Sequence, residues 1–311
     1  MSPPTPHSLL QQLHAAEQQL NQIIVGKPQA IRLALACVLA QGHLLIEDIP
    51  GVGKTTLAHA LAQVLGLAFA RIQFTSDLLP ADLLGVSVYE RNEARFHFHP
   101  GPIFTQVLLA DEINRATAKT QSALLEAMAE RQVTLDGQTH SLPAPFFVIA
   151  TQNPQQQIGT FPLPESQLDR FLLRIELGYP SPAAERALLE GTDRQVLLQQ
   201  TSPLLDTQHL IAAQTAIQQL TLSPALLDYV QALIAHTRRD TQFVYGLSPR
   251  AALGLVHASK AWAWLNGRNM VLPDDVQHVF VAVAGHRLIS KHSHRNDFAA
   301  AQQILTQVAI P

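Results

Sequence analysis

Apolar and polar positions follow two different rhythms along this chain, and the rhythm changes once. Residues 8–24 carry Leu9, Leu13, Leu20 and Ile24 at helical spacing with glutamines between them, which predicts an amphipathic helix. The chain breaks at Gly26, and Pro28 opens a second helix running to about Ala40, because proline suits a first helical turn. Gly42 stops that helix. Five short apolar runs then read as strands: 44–47, 68–74, 103–110, 146–151 and 171–177. Helical stretches such as 56–65 and 119–130 separate most of them. Such alternation predicts an α/β fold with a mostly parallel sheet covered on both faces.

The rhythm changes at Tyr179-Pro180-Ser181-Pro182. Ser181 suits a helix cap and Pro182 the first helical position. Beyond it only helices are expected, at 183–189, 209–220, 224–238, 249–265, 273–286 and 299–308. Ser223-Pro224 and Ser248-Pro249 repeat the same start signal. The expected organisation is therefore an α/β unit over 1–178 and an all-helical unit over 181–311. Within the first unit, residues 76–100 carry two short strand-like runs, Val86–Tyr89 and Phe96–Phe98, around Arg91-Asn92-Glu93-Ala94, and a hairpin is expected to turn at Asp136-Gly137, a strong hairpin signal.

Composition narrows the classes. With 311 residues, 47% of them hydrophobic, the chain is long enough for two folded domains. A net charge of −3 with no long basic run argues against sequence-blind nucleic-acid binding. The single cysteine, Cys37, lies in an apolar stretch and is expected to be a small buried hydrophobe. One cysteine allows no internal disulfide, which suits a reducing cytoplasmic setting. The start Met1-Ser2-Pro3-Pro4-Thr5-Pro6 lacks the basic and apolar regions of a secretory signal, and no apolar stretch is uninterrupted enough to span a bilayer.

The chemistry concentrates at strand ends. Leu44-Leu45-Ile46 runs into Asp48-Ile49-Pro50-Gly51-Val52-Gly53-Lys54-Thr55 and then Thr56. A strand leading into a glycine-rich turn that ends Gly-Lys-Thr and opens a helix is a phosphate cradle. Glycines let successive N–H groups face phosphate, and the helix start adds its positive dipole end. Lys54 is placed for the β and γ phosphates and the Thr55 hydroxyl for Mg2+. The strict pattern has a glycine where this chain has Asp48. A second apolar strand, Val107-Leu108-Leu109-Ala110, ends in Asp111-Glu112. A nucleotide hydrolase needs one carboxylate to hold the metal and another to orient or deprotonate water. Asp111 fits the first role and Glu112 the second. A third strand, 146–150, ends in Thr151-Gln152-Asn153-Pro154, where the Asn153 amide can hold the attacking water or sense the γ phosphate.

In that order these three segments resemble the core motifs of AAA+ ATPases, and specifically the MoxR family. The most specific stretches are Asp111-Glu112-Ile113-Asn114-Arg115, the run from Leu124 to Val133, and Gly159-Thr160-Phe161-Pro162-Leu163-Pro164-Glu165-Ser166-Gln167-Leu168-Asp169-Arg170-Phe171. The likeness spans about residues 23–290 and is weak at both ends. It implies a P-loop NTPase αβα sandwich with a helical lid closing over ATP. It further implies that Asn153 is the sensor-1 residue and that Arg170 is an arginine finger reaching a neighbouring subunit's nucleotide. Arg250, in Gly246-Leu247-Ser248-Pro249-Arg250-Ala251, would be the sensor-2 residue contacting the γ phosphate of its own subunit. Ile24, Val25 and Gly26 would lie beside adenine. Residues 76–100 and 131–142 resemble the insert and the hairpin before sensor 1 of the helix-2-insert branch, which implies that both contact client proteins or move with nucleotide state. The family also implies a homo-oligomeric, hexameric ring, client proteins to remodel or supply with a metal cofactor, and a partner with a von Willebrand factor A domain. Three alternatives stay open at this stage: a magnesium-chelatase-type motor subunit, a nucleic-acid-stimulated motor, and an ATP-gated scaffold without turnover.

Several histidines invite a metal reading. His97 and His99 are expected on one strand face rather than in a ligand set, since no cysteine or carboxylate cluster accompanies them. His286, His292 and His294 are expected to face solvent, and Trp262 and Trp264 to pack in a helix.

Overall fold

The computed structural model describes residues 5–153 and 160–310. Pro154, Gly159 and the first four residues, all used in the reading above, lie outside the described residues. The chain opens with α1 (Pro6–Ile23) and α2 (Pro28–Leu39), followed by β1 (Leu44–Glu47) and α3 (Lys54–Val64). Then come β2 (Phe69–Gln73), α4 (Pro80–Leu84), β3 (Gly85–Glu90), β4 (Arg95–Pro100), β5 (Val107–Asp111) and α5 (Ala118–Glu130). The hairpin strands β6 (Gln132–Leu135) and β7 (Gln138–Ser141) precede β8 (Phe147–Gln152), a short α6 (Glu165–Leu168) and β9 (Leu173–Ile175). Only helices follow: α7 (Pro182–Glu190), α8 (Arg194–Gln200), α9 (Thr207–Gln218), α10 (Pro224–Arg239), α11 (Pro249–Leu265), α12 (Pro273–Ala284) and α13 (Phe298–Gln307).

Five parallel strands form the sheet, in the order β2-β5-β8-β1-β9. Strand alternation divides their side chains between two cores. Leu44, Ile46, Leu109 and Ile149 face α1, α2, α3 and the later helices, while Leu45, Leu108, Ala110 and Val148 face α5. Each fully buried Leu, Ile or Val contributes about 1.5–3 kcal/mol by leaving water. The first core runs without a break from α1 into α9 through α13, so the helical half packs against the α/β half over a wide area.

Local signals explain the element starts. The hydroxyls of Ser181, Ser223 and Ser248 accept N–H bonds from Ala184, Leu226 and Ala251, capping helices that each begin with proline. Asp136 and Gly137 both have positive φ, 50° and 77°, as the primed turn between β6 and β7 requires. The two strand-like runs of 76–100 form β3 and β4, which pair antiparallel as a second hairpin. Two strands are shorter than their apolar runs. Ile103 and Thr105 spend their N–H groups on Leu83 and Ile103 carbonyls, so β5 starts at Val107. At the other edge, the Asp48 carboxylate takes the Leu177 N–H, which ends β9. Helices α4, α6 and α8 lie outside the expected helices; each is short, and α8 rests on an Asp193 cap.

One histidine corrects the sequence reading. His286 is fully buried rather than solvent-facing, with its Nε2 paired to the Phe171 carbonyl at 3.1 Å. Its neighbours His292 and His294 are exposed, as local polarity suggested, but the turn after α12 carries His286 inward onto the Phe171 carbonyl. Cys37 is buried, and burial pushes its thiol pKa up. Trp262 and Trp264 are buried, and Trp262 stacks on His278. His97 pairs with Glu93 and Arg95 within its hairpin. No helix among the described residues is long and apolar enough to cross a membrane.

His43 is also buried. Its Nδ1 accepts the Val148 N–H at 3.0 Å and its Nε2 pairs with the Met128 carbonyl, a pattern only a neutral ring satisfies. Burial lowers its pKa to about 4 and holds that of His286 well below the ordinary value. Both rings bind protons below about pH 6.5 once unfolded but stay neutral when folded. Their contribution is therefore complete above that pH and is lost as the pH falls toward each ring's lowered pKa, about 4 for His43. Urea unfolding from pH 7 down to 5 should show stability dropping, with each ring adding at most about 1.4 kcal/mol per pH unit. His43→Leu should flatten the profile.

Candidate active site

The cradle is built on β1, whose Leu44, Leu45 and Ile46 are fully buried and fix the strand's end. Gly51 and Gly53 have φ of 84° and 95°, and a Cβ on either would meet nothing within 4 Å. The turn is thus held by backbone conformation and presents an open surface, with Pro50 exposed and Val52 half-buried against the core. Gly53 precedes α3, which starts at Lys54 and carries Thr55 and Thr56 in its first turn. Lys54 is 8% exposed and donates from Nζ to the Asp48 carbonyl, to the Ile49 carbonyl at 3.2 Å and to Asn153 Oδ1 at 3.2 Å. Burial lowers its pKa, while the charges of Asp48, Asp111 and Glu112 pull the other way.

Asn153 sits just past β8, between β1 and β5, and joins the two strand ends. Its Oδ1 accepts from Lys54, and its Nδ2 donates to Glu112 Oε1 at 3.0 Å. The other Glu112 oxygen accepts from Arg115 at 3.0 Å. Glu112 has φ 54°, a left-handed conformation uncommon for a side-chain-bearing residue, and its N–H donates to Thr151 Oγ1 at 2.8 Å. The same hydroxyl donates to Asp111 Oδ1 at 2.6 Å. The second Asp111 oxygen accepts from Arg71 of β2 at 2.6 Å. The cradle lysine, both carboxylates and the amide thus form one connected cluster at the C-terminal edge of the sheet, where open α/β sheets bind ligands.

Ile24 is buried and Val25 half-buried in the segment before α2, and a methyl on Gly26 would meet Ala184 of α7 at 2.8 Å. This segment and the start of the helical half therefore lie side by side.

Arg170 and Arg250 lie elsewhere. Arg170 donates to the Leu125 carbonyl of α5 at 2.7 Å. Its neighbour Asp169 accepts from Ser248 Oγ at 2.9 Å and from Arg287 at 2.7 Å. Arg250 follows Ser248 by two residues, is exposed, and is near enough to disfavour the charge on Arg287. The Leu172 N–H binds the carbonyl of His43, just before β1. This group therefore sits at the N-terminal ends of the strands, roughly 15 Å along β1 from the cradle at 3.3 Å per residue. The expectation that Arg250 reaches the γ phosphate of its own chain is not met, nor does α11 close over the cradle. The cause is packing: α11 lies on α2 and α12, and Ser248 is tied to Asp169.

Residues 43–173 match the model of the ATPase family associated with various cellular activities, and 235–308 match that of the AAA lid domain. The chaperone MoxR1 of Mycobacterium tuberculosis is 40% identical over 97% of this chain and 84% of its own length. Protein MoxR of Paracoccus denitrificans is 34% identical over 88% of this chain and 87% of its own. The uncharacterised protein YeaC of Bacillus subtilis is 42% identical over 96% of this chain and 95% of its own. The chain belongs to the MoxR family of AAA+ ATPases. The fold agrees: a candidate ATPase from Cytophaga hutchinsonii, known from a crystal structure, superposes with a TM-score of 0.88 at 34% identity, over 98% of this chain and 97% of that one.

In this MoxR-family chain, the residues that sequence reasoning missed are Arg71, Thr151 and Arg115. Thr151 lay within the quoted motif, but nothing local marked its hydroxyl as a bridge. Arg71 faces Asp111 only because β2 pairs with β5, Gln73 opposite Asp111. Thr151 is fully buried. Thr151→Val keeps its volume but leaves a buried carboxylate oxygen and the Glu112 N–H each short of a partner. Chemical denaturation should show a loss of about 1–3 kcal/mol.

Proposed function

We propose that this chain hydrolyses ATP with Mg2+ and uses the energy, as a ring of identical subunits, to remodel client proteins. The observation that carries the reading is the connected path from Lys54 through Asn153 to Glu112, which links a phosphate cradle to a carboxylate able to activate water. The residues present suit both ligands. The cradle glycines leave the turn open, and Thr55 and Asp111 offer the hard oxygen ligands magnesium prefers. Bound magnesium, held by Thr55 and Asp111, would offset the charge that develops on the transferred phosphoryl group. Lys54 turns from the loop carbonyls to the phosphates. Glu112 orients or deprotonates the water, Asn153 holds it in line, and Thr151 keeps Asp111 and Glu112 in place.

Glu112→Gln tests the base. It should retain ATP binding, followed with a fluorescent analogue, while turnover falls by at least about a hundredfold. Undiminished phosphate release would remove Glu112 from the role.

Arg170 and Arg250 gather at the opposite end of the sheet from their own cradle, which supports assigning both to a neighbouring subunit's nucleotide. That arrangement calls for a closed ring, and six subunits is the form we propose. Mixing increasing amounts of Arg170→Ala chains into wild type should depress turnover more steeply than the mixing ratio. A loss strictly proportional to the mutant fraction would count against action across an interface.

The relative named a chaperone supports the remodelling role, and the net charge of −3 disfavours a nucleic-acid track. We place the protein in the cytoplasm, acting with a von Willebrand factor A domain partner, and its clients' maturation, metal-cofactor insertion included, as the work done.

A further inference from the structure

Asp48 stands where the strict cradle pattern has its first glycine, and it makes more connections than a glycine can. It is 7% exposed. Its Oδ2 accepts the N–H groups of Leu177 at 2.5 Å and Gly178 at 2.6 Å, and its Oδ1 that of Ile49 at 2.8 Å. Three N–H groups on one buried carboxylate are charge-assisted bonds, about twice as strong as neutral ones. The main chain of the same residue is engaged as well. Its N–H donates to the Gln152 carbonyl at the end of β8, and its carbonyl accepts from Lys54 Nζ.

Leu177 and Gly178 are where the chain leaves the sheet for the helical half. Gly178 has φ 62°, and the Tyr179 carbonyl accepts from Lys27 Nζ at 2.7 Å. Five residues on, Ala184 of α7 lies against Gly26. The 177–184 segment is therefore bound to the cradle through one side chain and to the 24–27 segment through close contacts.

We propose that Asp48 is a positioning residue that couples the phosphate cradle to the 177–184 segment, so that nucleotide in the cradle is felt where the helical half begins. The inference rests on the ATP-binding reading above. When Lys54 turns to phosphate it gives up the Asp48 carbonyl, and the residue's remaining bonds carry the shift to Leu177 and Gly178. A glycine in this place has no side chain to transmit it.

The test is amide hydrogen exchange on the full-length protein, with and without a non-hydrolysable ATP analogue and magnesium. In the wild type, exchange across 177–184 should change on adding nucleotide. Asp48→Gly restores the common motif and so should be silent if position 48 were a tolerated departure. The coupling predicts otherwise: Leu177 and Gly178 exchange on the order of tenfold faster without nucleotide, and adding analogue that still binds no longer alters 177–184. Asp48→Asn, which keeps an acceptor oxygen, should fall between the two and serves if the glycine variant fails to fold. Wild-type-like nucleotide response in 177–184 for either variant would overturn the coupling, as would a wild type that binds the analogue with no response there. A wild type that binds no analogue overturns the ATP reading and the coupling with it, yet the faster exchange of those two amides in the variant would still report the tether.

Discussion

Everything at the site depends on β8 lying between β1 and β5. Ile149 sits opposite Leu44 on one side and Leu109 on the other, so the three strands end together. That shared ending lets Asn153 bond Lys54 and Glu112 at once and brings Thr151 onto Asp111. A slip of one residue in either pairing would turn these side chains to the other face of the sheet. Burial prevents it, because both faces are apolar and a slip would place the wrong set against each core.

Charge is arranged at this edge in matched pairs. Asp111 has Arg71, Glu112 has Arg115, and Lys54 is ringed by carbonyls and three carboxylates. Arg71 is about half exposed, so solvent screens its pairing with Asp111 and leaves it exchangeable. The Asp48 carboxylate is instead buried and held by main-chain donors. The site thus combines an exchangeable ring of cations with a fixed anchor beneath the cradle.

The opposite edge is organised by Asp169. It receives Ser248, the cap of α11, and Arg287 from the segment after α12, while Phe171 beside it accepts from Arg287 and His286. The helical half is tied there, at the strand N-termini, and this leaves Arg170 and Arg250 away from their own cradle. The family likeness supplied both arginines as functional residues, but their placement at one edge came from packing.

Elements with strong local signals could be read from the chain. The strand 44–47 stands between Gly42 and Pro50, α11 starts at a Ser-Pro pair and runs over 249–265, and Asp136-Gly137 makes its hairpin, each as the residues required. Their determinants lie within a few positions of one another: backbone freedom, caps, and side-chain periodicity. The strand order, Arg71 facing Asp111, the burial of His286 among polar neighbours and the tether from Asp48 to Gly178 were not legible. Each joins segments tens to more than a hundred residues apart, and each is chosen by which apolar faces bury one another. The sequence alone determined the chemical groups and the local shapes that carry them; the tertiary structure decided which groups meet, because contact between distant segments is settled by packing the whole core.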